Sequence, residues 1–227
     1  MRTNPQVPNR QIAKRIAQAA VERGRPLAWF DELYGMAKSS GVEVIPWADL
    51  KPNPNLVHWL DRERFEGMGK RSLVVGCGLG DDAEELVRRG SEVTAFDVSE
   101  SAVAMATARF AASEVEYKVA DVLRPPDIWA GSFDFVYEAY TLQVLPREFR
   151  KAATARIASF VAPGGSLLLI TRAREEPESR SEMPWPLSRE ELSPIESFGL
   201  ELVGFEDYLD DESPAVRRFR ATYRRLR

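Results

Sequence analysis

The chain changes its hydrophobic rhythm near residue 70. Before that point apolar residues recur at helical spacing: Ile12, Ile16, Ala19 and Ala20 within 9–23, then Trp29, Phe30, Leu33 and Met36 within 28–39. Residues 41–52 interrupt the pattern and hold Trp47. Asn53-Pro54 reads as a cap and first helical position ahead of Leu56, Val57 and Leu60. Residues 1–8, polar with two prolines, are expected to be disordered. Beyond residue 70, short apolar runs alternate with amphipathic ones. Strands are predicted near 71–76, 92–97, 115–119, 133–138 and 166–171, and helices near 82–89, 100–112 and 146–161. Gly164-Gly165 reads as the turn into Leu167–Ile170, a run apolar enough for burial on both faces. This alternation implies a parallel, doubly wound α/β sheet with helices on both sides. Residues 200–208 and 216–226 follow with no helix between them, so they should pair antiparallel at the edge.

The first strand runs into Val75-Gly76-Cys77-Gly78-Leu79-Gly80, and the second ends at Asp97. Glycines let the backbone turn sharply and approach a ligand closely. An acid at the next strand end accepts hydrogen bonds from a ribose. A dinucleotide site wants a third glycine or alanine where this chain has Asp81. Asp82, Glu84 and Glu85 add charge that repels a pyrophosphate, and Asp81 with Glu84 has the spacing of a capping box. S-adenosylmethionine carries net positive charge and no phosphate, so the acidic start favours it over NAD(P).

Composition narrows the alternatives. The net charge of −4 argues against a general nucleic-acid binder, and the arginines of 216–227 read as the wet face of an edge strand. No apolar run reaches a membrane span, and the N-terminus lacks a signal-peptide core, so a cytoplasmic protein without membrane partners is expected. One cysteine and one histidine, Cys77 and His58, make a Cys/His metal site unlikely to form, and no metal is expected. Cys77 between two glycines reads as a small packed side chain.

Five segments in this order resemble class I S-adenosylmethionine-dependent methyltransferases: the glycine loop, Phe96-Asp97, Ala120-Asp121-Val122, Phe133–Glu138 and Pro163-Gly164-Gly165. The resemblance covers about 71–226. It implies a Rossmann-like, seven-stranded, mostly parallel sheet with an antiparallel last strand and an N-terminal helical lid. The expected organisation is a single domain over 1–227, with a helical cap at 1–68 and a cofactor-binding core at 69–227. A narrower similarity, to the thiopurine, thiol and halide methyltransferase branch, rests on Trp29–Tyr34, Ile45-Pro46-Trp47, Leu145–Glu148 and Pro186–Leu192. The segment Glu138–Gln143 departs from that branch where the acceptor pocket would lie.

The resemblance assigns S-adenosylmethionine to Gly76, Gly78, Gly80, Asp97 with Val98, Asp121 with Val122, and Glu138, under Trp29 and Trp47. Tyr34, Tyr140, Gln143 and Trp185 are candidates for the acceptor pocket, with Glu138 and Tyr140 as candidate catalytic groups. With no well-placed base, a small-molecule thiol or similar soft nucleophile is the expected acceptor. The alternatives are O- or N-methyl transfer to a small molecule, a NAD(P)-dependent oxidoreductase, or a non-catalytic cofactor-binding module. A monomer or homodimer is expected.

Overall fold

The computed structural model describes residues 6–176 and 184–227. The predicted strands form as β1 (Arg71–Val75), β2 (Glu92–Asp97), β3 (Glu116–Val119), β4 (Phe133–Ala139), β5 (Val161–Arg172), β6 (Leu200–Leu209) and β7 (Arg217–Arg225). They make one seven-stranded sheet in the order β3-β2-β1-β4-β5-β7-β6. The first five strands run parallel, and β7 is antiparallel to both β5 and β6. The direction of strand order reverses between β1 and β4, which opens a crevice at their carboxyl ends.

Seven α-helices surround the sheet: α1 (Gln6–Glu22), α2 (Ala28–Ser40), α3 (Pro54–Arg62), α4 (Asp81–Arg88), α5 (Glu100–Arg109), α6 (Arg147–Phe160) and the short α7 (Arg189–Leu192). One sheet face, with Leu73, Val75, Val136 and Leu169, buries Ala153, Ile157 and Phe160 of α6. The other face, with Val74, Phe135, Leu168 and Ile170, buries Leu56, Trp59 and Leu60 of α3 and Leu86 of α4. Trp59 stacks on Phe135 at 5.5 Å between ring centroids, and its indole N–H donates to Thr222 Oγ1 at 3.1 Å. Helix α3 thus belongs to the layer on the sheet. Helices α1 and α2 form a separate cluster that reaches the core through Leu79 and Ala102.

Several expectations are corrected. Helix α1 begins at Gln6, inside the stretch read as disordered; residues 1–5 lie outside the described residues. Gly164-Gly165 is not a turn before β5 but part of it, and the β4 register jumps from Phe133↔Val161 to Phe135↔Ser166 across a bulge. A Cβ on Gly165 would lie 2.9 Å from the carbonyl oxygens of Ala162 and Phe133, so the bulge requires glycine. Asp81 is not the cap of α4: Gly80, at φ +92°, holds that position, and Asp81 opens the helix. Strand β7 is an inner strand, with β6 at the edge.

That inner placement buries arginines. Arg218 and Arg220 are 3% and 2% exposed, and each meets acids contributed by the β6–β7 hairpin. Arg220 Nε donates to Glu206 Oε1 at 2.8 Å, and Arg62 of α3 donates to the same carboxylate at 2.7 and 3.0 Å. The two guanidinium groups hold the Glu206 carboxyl down at about 2. Removing one partner of a buried pair leaves an uncompensated charge. Glu206→Gln should therefore destabilise the fold by about 1–3 kcal/mol, discounted because Glu206 is itself part-exposed. Urea unfolding at neutral pH checks this; an unchanged midpoint would assign the pairs no net role.

Candidate functional site

The loop after β1 turns through three left-handed glycines, Gly76 at φ +65°, Gly78 at +52° and Gly80 at +92°. Its neighbours press against it where side chains would otherwise stand: Thr141 at Gly76, Tyr34 at Gly78 and Tyr117 at Gly80. Two hydrogen bonds tie the loop to the end of β2. Cys77 N donates to Phe96 O at 2.8 Å, and Gly78 N donates to Asp97 Oδ2 at 3.0 Å. Asp97 Oδ1 accepts from Ser99 N at 2.9 Å. Burial raises the Asp97 carboxyl above its usual range, against the lowering effect of these N–H groups. Val98 is half-buried beside it, and Cys77 is buried, with its thiol pushed up.

The acids of α4 are not a bare negative patch. Asp81 receives two hydrogen bonds from Arg109 of α5, at 2.8 and 2.9 Å. Glu84 accepts from the Tyr117 hydroxyl at 2.7 Å, and Glu85 pairs with Arg88 and Arg89. Asp82 accepts from Asn53 N at 2.6 Å, and burial lifts its carboxyl to about 6. Asn53 also donates to the Tyr137 hydroxyl at 3.2 Å. The sequence reading took Asn53 as a helix cap, which it is, but missed this second contact because Tyr137 is remote in sequence.

The cap reaches the site through α2. Asp31 accepts from Ser99 Oγ at 2.8 Å and Ser101 N at 2.9 Å, bonds that lower its carboxyl against the raising effect of burial. Tyr34 is buried, and its hydroxyl accepts from Trp47 Nε1 at 2.9 Å. Trp47 is 43% exposed and meets the edge of Trp29 at 5.8 Å. Trp29 is 1% exposed and stacks on Phe30 within the cap's own core, so Tyr34 is the cap residue that touches the glycine loop. Asp121 turns the chain by accepting from Leu123 N at 2.9 Å, and Val122 is buried in the main core.

Glu138 ends β4 opposite Val75 and is fully buried. Its Oε1 accepts from Thr141 N at 2.7 Å and Leu142 N at 3.0 Å, while its Oε2 has no partner among the described residues. Burial, opposed by those two bonds, raises the carboxyl to about 7. Tyr140 follows at φ +65°, a left-handed conformation that is costly for a bulky residue and clusters at functional sites. Its hydroxyl accepts from Asn55 Nδ2 at 3.4 Å, and burial raises its pKa, which disfavours it as a base. Gln143 is buried and structural in its contacts. Its Oε1 accepts from Thr171 Oγ1 at 2.9 Å and Arg172 N at 2.7 Å, and its carbonyl from Trp185 N at 2.8 Å. Trp185 is half-buried under Arg150; Met183 of the same segment lies outside the described residues. His58 is exposed on α3, away from the loop.

Residues 73–165 match the methyltransferase domain family. The matched stretch takes in the glycine loop, Asp97, Asp121 and Glu138. Over 150 residues the chain is 33% identical to the ubiquinone biosynthesis O-methyltransferase of Nitrosococcus oceani, covering 65% of this chain and 61% of that protein. It is 37% identical over 113 residues to the protein of the same name from Xanthomonas axonopodis pv. citri, covering 49% and 46%. The match thus spans about half to three-fifths of these relatives' length. Its fold resembles that of 1,6-didemethyltoxoflavin-N1-methyltransferase from Burkholderia thailandensis with bound S-adenosylhomocysteine (TM-score 0.69, 18% identity, 92% of this chain and 89% of that one). It likewise resembles the N-methyltransferase NodS from Bradyrhizobium japonicum (TM-score 0.66, 20% identity, 87% and 99%). These relatives do not support the narrower similarity to the thiopurine, thiol and halide branch. No helix among the described residues is long and apolar enough to cross a membrane.

Glu138 gives a pH test of this geometry. Its folded value of about 7 lies above the 4.5 of a free glutamate, so the folded state holds the proton more tightly. Its contribution to stability is therefore fully present below pH 4.5 and is lost as pH rises through 7. Glu138→Gln removes the titration, so the variant should gain on the parent by up to about 3 kcal/mol between pH 5 and 8. Denaturant unfolding across that range measures it; a constant difference would mean that Glu138 does not titrate there.

Proposed function

We propose that this protein transfers a methyl group from S-adenosylmethionine to an oxygen of a small-molecule acceptor. The unpartnered Oε2 of Glu138, at the carboxyl end of β4, carries this reading. A buried carboxyl oxygen without a donor is costly, and an acceptor hydroxyl supplies what it lacks. The ubiquinone biosynthesis O-methyltransferases among its relatives support oxygen over the sulfur acceptor expected from the sequence. That expectation rested on the lack of a base, and a carboxyl held near 7 is suited to general-base work at neutral pH.

The residues around the glycine loop fit the cofactor. Asp97 keeps lone pairs for a ribose diol, and the left-handed glycines let the loop backbone come close to the methionine portion. Val98, with Asp121 and Val122 on the next loop, flanks the adenine side. Tyr34 and Trp47 cover the loop from the cap, with Trp29 behind them. When bound, S-adenosylmethionine supplies an electrophilic methyl group on a sulfonium. Glu138 would take the hydroxyl proton of the acceptor and so ready that oxygen to receive the methyl group. The closed cap excludes water and aligns the two centres. Tyr140 and Trp185 border the acceptor, while Gln143 positions the ends of the segments around it.

Two measurements test the reading. Asp97→Ala should weaken S-adenosylhomocysteine binding by about 1–3 kcal/mol in a calorimetric titration, with Asp97→Asn losing less. Unchanged affinity in both would remove Asp97 from the ribose. Glu138→Gln should lower kcat with a hydroxyl-bearing small-molecule acceptor by about 10²–10⁴-fold while leaving cofactor affinity nearly intact. Retained turnover would exclude Glu138 as the base.

A further inference from the structure

Among the described residues, one cation at the sheet's carboxyl edge makes no ion pair. Arg172 ends β5, on the far side of β4 from the glycine loop. Its backbone is fixed from two directions: its N–H donates to Gln143 Oε1 at 2.7 Å, and its carbonyl accepts from Leu187 N at 2.9 Å. In the antiparallel register it stands directly opposite Arg218 of β7, so the two side chains leave the same face. Like charges in that arrangement repel.

The neighbouring arginines are compensated. Arg218 pairs with Asp210 at 2.6 Å and with Glu212, and lies over the ring of Tyr140 at 4.9 Å. Arg220 pairs with Glu206, and Arg174 with Glu191 at 2.7 Å. The half-buried guanidinium of Arg172 has neither a hydrogen-bond nor an ion-pair partner among the described residues. Around it lie Arg218, Arg10 of α1, Glu212 and Tyr140; burial and the two arginines hold its pKa below the ordinary arginine value. Arg172, Arg218 and Arg10 set against Asp210 and Glu212 leave an excess of one positive charge, 3 − 2 = 1. A desolvated cation facing a second cation is retained at a cost, which a bound anion relieves.

We propose that Arg172 recognises a carboxylate on the methyl acceptor, remote from the hydroxyl that is methylated. The inference rests on the methyl-transfer reading above. A single guanidinium fork with one excess charge matches a monoanionic carboxylate in the two-point manner arginine favours. The carboxylate of the cofactor is a poor occupant, because the glycine loop lies at β1 and β2 while Arg172 lies beyond β4. The left-handed Tyr140 sits between these two regions, its ring under Arg218, where it can flank an aromatic acceptor.

The test uses the full chain with matched hydroxybenzoates and their methyl esters, which differ in charge only at the carboxyl group. Each pair is titrated calorimetrically with and without S-adenosylhomocysteine, so a failure of cofactor binding leaves the anion preference readable. The parent should bind at least one hydroxybenzoate about ten- to a hundredfold more tightly than its ester. Arg172→Gln should erase that ratio, Arg172→Lys should keep part of it, and the Kd for S-adenosylhomocysteine should hold in both. Equal binding of acid and ester, no binding of any pair, or a preference that survives Arg172→Gln would overturn the proposal. So would a loss of S-adenosylhomocysteine affinity in Arg172→Gln, which would give the residue to the cofactor instead.

Discussion

The carboxylate of Asp97 is the junction on which the site's geometry depends. Through one oxygen it fixes Gly78 N, and with it the loop after β1; through the other it fixes Ser99 N at the start of α5. Ser99 then bonds to Asp31, which brings in α2 and the cap. A short chain of hydrogen bonds thus links two parallel strands, a helix start and the covering helices. The two N–H donors are backbone groups that would otherwise be orphaned in a buried turn. Desolvation opposes the charge and the donors favour it, so the carboxylate is held by geometry as much as by electrostatics.

Most of the fold was legible because its signals are local. Strands β1, β2, β4 and β5 carry apolar runs bounded by glycine or by polar residues, and the missing helix between 208 and 216 announced the antiparallel pair. Errors arose where a distant contact overrode a local pattern. Asp81 has the spacing of a capping box, but the left-handed Gly80 takes the cap and Arg109 takes the carboxylate. Gly164-Gly165 has the composition of a turn, but β4 presses so closely that the glycines serve a bulge inside β5. The glycine loop and Asp97 could be named from sequence, whereas the Asp31 dock and the Asn53–Tyr137 contact could not: their partners lie 68 to 84 positions away, and no local pattern encodes them.

The same limit applies to charge. From sequence, the acids of α4 read as a field that repels phosphate and the terminal arginines as a wet edge. In the fold Asp81, Glu84 and Glu85 are engaged by Arg109, Tyr117, Arg88 and Arg89, and Arg217, Arg218 and Arg220 by Glu206, Asp207, Asp210 and Glu212. Net charge therefore says little about this site. At the carboxyl ends of β4 and β5 two groups have no partner among the described residues: Oε2 of Glu138 and the guanidinium of Arg172.

These two residues occupy the ends of adjacent strands, β4 and β5, and Gln143 lies in the loop that joins them to the rest of the site. Glu138 shares the sheet face of Leu169 and Val75, whereas Arg172 shares the face of Ile170 and Leu168. Because side chains alternate across a strand, the two groups approach the carboxyl edge from opposite sides of the sheet. A molecule lying over that edge would meet a proton acceptor at one end and a cation at the other, with the left-handed Tyr140 between them. The strain at Tyr140 has a structural reason on this view. An extended residue there would continue β4 past Ala139, whereas the turn lets Thr141 pack on Gly76 and both Thr141 and Leu142 donate to Glu138.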